Sequence, residues 1–203
     1  QNGDRAPAEI HTVFVEAAED VTEVTEEMDV NQSKLVLGFR TGMRDRDDGY
    51  FAMRLMTDLF GGGPYSRLFM HVREKLSLCY YCSARLDRNK GIVMVQSGIE
   101  RKNKDAALNE IKKQLKVMQN GEFTDEEFAA SKAALCDAFH GLGDTPEGLD
   151  VYFAQSLDGA VCTPEDMVQG LSAVTREDVV RAAKSLTLDT VYLLAGKEEA
   201  ENA

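Results

Sequence analysis

The sequence predicts an α+β fold, a mainly antiparallel sheet with helices packed on one face. Three observations lead there. Strand-like segments come first, helical periodicities follow, and one apolar strand closes the chain. Two strand-like runs, 79–86 and 91–99, flank the turn Asp87-Arg88-Asn89-Lys90-Gly91 and read as a hairpin, which imposes antiparallel pairing. The helices between 102 and 185 carry caps and apolar stripes that need a sheet to cover.

In order, residues 1–20 are expected to be a linker or disordered N-terminal segment, with a short strand candidate at 11–16. Residues 21–203 are expected to form a single domain. Strands are expected at 22–28 and 34–40, the second with Leu35, Leu37 and Phe39 on one face. The stretch 41–49 has the composition of a loop. A compact apolar helix at 50–60 is stopped by Gly61-Gly62-Gly63-Pro64. Ser66 is placed to cap a helix over 67–76. A helix at 102–119 puts Ala107, Leu108, Ile111, Leu115 and Met118 on one face and ends at Asn120-Gly121. Thr124 with Glu127 forms a capping box for a helix reaching about 142. Thr145-Pro146 and Thr163-Pro164 each pair an N-cap with an N1 proline. Thr175 with Asp178 caps a helix to about 185, and 190–196 reads as a final buried strand.

Composition bounds function. The formal net charge is −12, which argues against general nucleic-acid binding. No apolar run approaches the ~20 residues needed to cross a bilayer, so neither nucleic acid nor membrane is expected as a partner. The charge is uneven. Residues 65–104 hold nine bases against three acids, between acidic flanks. That stretch is either solvated surface or a site that meets carboxylates and carbonyl oxygens. The chain opens on Gln1 rather than Met, as expected of a processed chain or a piece of a longer one.

The four cysteines do not make a secreted disulfide framework. Cys79 and Cys82 form a C-x-x-C on an expected strand, where side chains three apart point to opposite faces. They are therefore expected to be separate, free and reduced, in keeping with a cytoplasmic location. The three histidines, His11, His71 and His140, lack metal-ligand spacing. His71-Val72-Arg73-Glu74-Lys75 resembles H-x-x-E-H, but an ammonium has no lone pair for zinc. The glycine-rich 60–66 lacks the G-K-[ST] ending of a P-loop and follows a helix. No metal or cofactor is expected in this chain, and alone it is not expected to be an active enzyme.

The segment 61–81 is more specific. A glycine-rich turn leads to Ser66-Arg67-Leu68-Phe69, then Arg73-Glu74, then Leu78-Cys79-Tyr80 entering a strand. With the Thr175–Asp178 helix and the closing strand to Gly196, this resembles the C-terminal, metal-free half-domain of the pitrilysin/insulinase family of zinc metallopeptidases. The family often has Gly where Ser77 stands here.

The resemblance implies a clamshell of two similar halves. Zinc is expected in the partner half, an N-terminal zinc-binding half-domain or a homologous subunit. This half would supply Arg73 and Tyr80 to a peptide substrate. A guanidinium gripping carbonyls and a phenol beside the developing oxyanion would stabilise the transition state. Two rival readings stand beside it. One is an inactive homologue serving as an assembly or peptide-binding subunit; the other is an unrelated α+β binding module. Arg73 could equally pair with a nearby acid while Tyr80 covers a sheet edge.

Overall fold

The computed structural model describes residues 13–43, 48–156 and 163–196. His11, Cys162, residues 44–47 of the expected loop and the first part of the expected linker lie outside them. A five-stranded sheet has the order β1-β5-β2-β4-β3, with β1 Thr22–Glu27, β2 Ser33–Arg40, β3 Cys79–Asp87, β4 Ile92–Ile99 and β5 Thr187–Ala195. Every neighbouring pair is antiparallel except β1 with β5. The helices are α1 Tyr50–Gly61, α2 Lys104–Asn120, α3 Asp125–His140, α4 Pro146–Ser156, α5 Pro164–Ala173 and α6 Arg176–Ser185. The α+β expectation holds.

The strand alternation explains the layering. In β2, Leu35, Leu37 and Phe39 are buried, Val36 and Gly38 between them are half-buried, and Lys34 before them is exposed. Their partners across the sheet, Ser97, Val95 and Val93 in β4, are buried too. Met53, Met56 and Phe60 of α1, Ile111 and Met118 of α2 and Val179 of α6 complete one core on that face. A sheet with one dry and one wet face reads as alternation, and period 2 made β2 visible.

Helix ends follow their capping residues. Capping boxes are formed by Thr124 with Glu127, Thr163 with Asp166 and Thr175 with Asp178, and Gly121 ends α2 at φ 72°. The Thr145 hydroxyl accepts from the Gly148 amide at 3.0 Å.

Four expectations need correction. Residues 13–16 are irregular rather than a strand. The segment expected as an α-helix over 67–76 is a π-helix at Phe69–Lys75. Ser66 does not cap it. The Ser66 carbonyl accepts from the Met70 amide, while its buried hydroxyl has no partner. Finally, Cys79 and Cys82 do not point to opposite faces. In β3, Cys79 lies opposite Ile99 and Tyr81 opposite Gly98, so Tyr80 is an extra residue, a β-bulge. The bulge resets the alternation, and Cys82 comes opposite Ser97, on the same face as Ile99.

Candidate functional site

The site expected from the sequence lies where the π-helix turns into the edge strand β3. Leu68 and Val72 are fully buried and anchor the helix. Its end is closed by two nested bonds, from the Ser77 amide to the Arg73 carbonyl and from the Leu78 amide to the Val72 carbonyl, both 3.0 Å. This is a Schellman-type closure widened by one residue, as π geometry requires. Ser77 supplies the left-handed residue such a closure needs, at φ 50°. It alone among the described non-glycine residues has positive φ, at the position where glycine is the easier choice.

Arg73 and Tyr80 stand on either side of that turn. The Arg73 side chain is 42% exposed. Its guanidinium lies 4.6 Å from the centre of the Phe69 ring and 3.6 Å from Glu74 Oε1. The ring, one helical turn back, presets the arginine direction. The Glu74 contact is between exposed groups and holds it weakly. Tyr80, on the bulge, is 60% exposed and Tyr81 38%. A Cβ on Gly98 would fall 2.5 Å from Tyr81 Cε1, so the Tyr81 ring rests over the bare glycine. Of the two tyrosines, Tyr80 is therefore the one left projecting. Met70 on the same helix and Leu76 just past its end are also exposed.

The residue holding this helix in place was missed by sequence reasoning. Arg67 is 7% exposed. Its Nε donates to Gln114 Oε1 on α2 at 2.9 Å, and its Nη1 reaches both oxygens of Glu127 on α3 at 2.8 Å. Glu127 Oε2 also accepts from the Thr124 amide at 2.8 Å, so one carboxylate closes a capping box and neutralises a buried arginine. Arg67 Nη2 lies 3.3 Å from His71 Nε2, which must be an unprotonated acceptor there. Burial first, then the Arg67 and Lys75 charges, push the His71 pKa down, against Glu127 and Glu110. A charged residue between buried Ser66 and Leu68 was the available signal.

The donors here do not fit a zinc ion. His71 turns its Nε2 to a guanidinium, and Lys75 offers only an ammonium. Among the described residues no group of three or more His, Cys, Asp or Glu is placed to hold a metal.

The class defined by fold and site is an α+β domain whose helix-to-edge-strand turn presents an arginine and a tyrosine. Residues 2–135 match the family described as Peptidase M16 inactive domain, and the chain belongs to that family. It is 40% identical over 179 residues to "Probable inactive metalloprotease YmfF" of Bacillus subtilis, covering 88% of this chain and 42% of that protein. A conserved protein of Enterococcus faecalis V583 superposes with TM-score 0.82 at 32% identity, over 91% of this chain and 44% of that one. A protease from Helicobacter pylori superposes with TM-score 0.83 over 96% of this chain and 49% of that one, at 18% identity, and shows the fold alone. The chain thus spans under half the length of these relatives.

Proposed function

We propose that this chain is the metal-free half of a two-half M16 assembly, contacting an extended peptide through Arg73 and Tyr80 while the other half carries zinc. The observation behind this reading is the placement of both side chains, exposed on either side of the Ser77 turn at the open edge of the sheet. A strand edge offers unpaired backbone groups to a peptide, and a guanidinium beside it suits carbonyl oxygens. The family description and the chain's span of its relatives support a missing partner half. So do exposed Met70 and Leu76, apolar side chains that a partner surface can cover.

A second reading has its own support. The 40%-identical relative carries the name of an inactive metalloprotease, which favours a subunit that binds peptide without cleaving it. One experiment separates them. The full-length protein with its partner half is tested for binding of fluorescent extended peptides and, in parallel, for their cleavage. Both readings expect binding that weakens in Arg73→Ala; only the first expects cleavage. Wild-type peptide affinity in Arg73→Ala, with folding intact, contradicts both.

A further inference from the structure

Among the described residues β3 is an edge strand, paired with β4 alone. Its bulge at Tyr80 sets Cys79 opposite Ile99 and Cys82 opposite Ser97, two residues of one face of β4. The two thiols are near enough to perturb each other's ionisation, and Ser97 acts on both. Cys79 is half-buried, and Cys82 is 4% exposed. We propose that Cys79 and Cys82 form a reversible intrachain disulfide, made by exchange with a small-molecule disulfide, which ties the bulge that carries Tyr80. The inference rests on the cysteines alone and does not depend on the peptide-binding reading.

The two sulfurs are suited to different steps. The Cys79 thiol is held below the ordinary thiol range, first by the neighbouring Cys82 thiol, against burial, with Ser97 and the Arg73 charge adding to it. Cys82 is pushed up, by the Cys79 thiol and by its burial. Cys79 is therefore the attacking thiolate and Cys82 the resolving thiol. The Cys79 sulfur attacks one sulfur of the external disulfide. That S–S bond breaks, and the first small thiol leaves with the proton Cys79 gave up. The Cys82 sulfur then attacks the Cys79 sulfur of the mixed disulfide, and the second small thiol leaves with the Cys82 proton. Two protein thiols are oxidised, and one external disulfide is reduced to two thiols.

The backbone can accommodate the bond. Their partners Ile99 and Ser97 stand two residues apart on β4, ~6.5–7 Å along a strand, which sets the two cysteines near the outer end of the Cα separations a disulfide tolerates. Closure must tighten the bulge, and among the described residues no strand pairs with the outer side of β3 to resist. Zinc is a poorer occupant, since the pair supplies two of the four ligands a structural site takes and no third donor completes the group among the described residues.

The test uses the whole reduced chain, exposed to glutathione disulfide, quenched in acid and mapped by mass spectrometry. The expected product has lost two hydrogens and links Cys79 to Cys82, with Cys136 still open to alkylation. Cys82→Ser is expected to stop at a stable glutathione adduct on Cys79. The proposal is overturned if the wild-type chain also stops at that adduct, or if Cys79 and Cys82 both remain alkylatable. The wild-type result decides even if the variant fails to fold.

Discussion

Ser77, where the resembled family often has glycine, turns the chain between Arg73 and Tyr80, and its φ of 50° shows what that turn demands. A non-glycine residue in this region carries a cost of about 1–2 kcal/mol. Ser77→Gly relieves it, less the extra freedom glycine gains in the unfolded chain, so a gain of up to about 1 kcal/mol is expected. Ser77→Val, β-branched, should lose about 1–2 kcal/mol. Urea midpoints check both, and a Gly variant less stable than wild type would contradict the assignment. Tyr80 and Tyr81 make the companion test. With Tyr81 laid over Gly98 and Tyr80 projecting from the bulge, Tyr80→Phe in an active assembly should lower kcat roughly a hundredfold, whereas Tyr81→Phe should leave it near wild type. The resemblance named Tyr80, but nothing in the sequence itself separates it from Tyr81. A bulge is invisible in a single strand, because it exists only as a mismatch with the partner's register. The same blindness produced the wrong expectation that Cys79 and Cys82 face opposite ways.

At the scale of elements, what was legible was local and what was missed was tertiary. Thr124 with Glu127 and Thr175 with Asp178 read as caps because both partners lie within one turn. The helix carrying Arg73 read as α-helix, and nothing local distinguishes a π-helix from it. That helix is held by Arg67, whose partners Gln114 and Glu127 lie 47 and 60 residues away. Arg67→Ala leaves the Glu127 carboxylate without its buried counter-charge and should cost about 3 kcal/mol, the low end for breaking such a pair. For a chain of this size that lowers Tm by about 6–12 °C. A loss within about 0.5 kcal/mol, the range of an ordinary surface change, would show that the network contributes little. His71 adds a pH signature. Its pKa is depressed in the folded state, so as pH falls the unfolded chain takes up the proton first. The stability tied to His71 is therefore complete above about 6.5 and is lost as pH falls through the lowered folded value. Urea midpoints between pH 5 and 8 should show this slope, and His71→Gln should flatten it; a wild-type curve that rises on acidification contradicts the assignment.

Over the whole molecule, strands first and helices later were enough to indicate one antiparallel sheet with one covered face. The parallel pairing of β1 with β5 was not legible. β1 is exposed along its whole length and carries Glu23, Glu26 and Glu27, so no apolar alternation betrays its partner. Charges of this kind suit an edge strand, where they discourage pairing with other chains. Its anchors are distant: Glu26 accepts from the Tyr192 hydroxyl at 2.9 Å and Glu27 from Arg101 at 2.8 Å. The opposite edge, β3, is the one the functional reading depends on. Amide hydrogen exchange of the full-length protein with its partner half, with and without an extended peptide, tests that reading most directly. The account predicts that peptide slows exchange across residues 70–83, from the exposed helix through the bulge into β3, while β1 at the far edge is unchanged. Protection confined to β1, or none at residues 70–83 under saturating peptide, would contradict it.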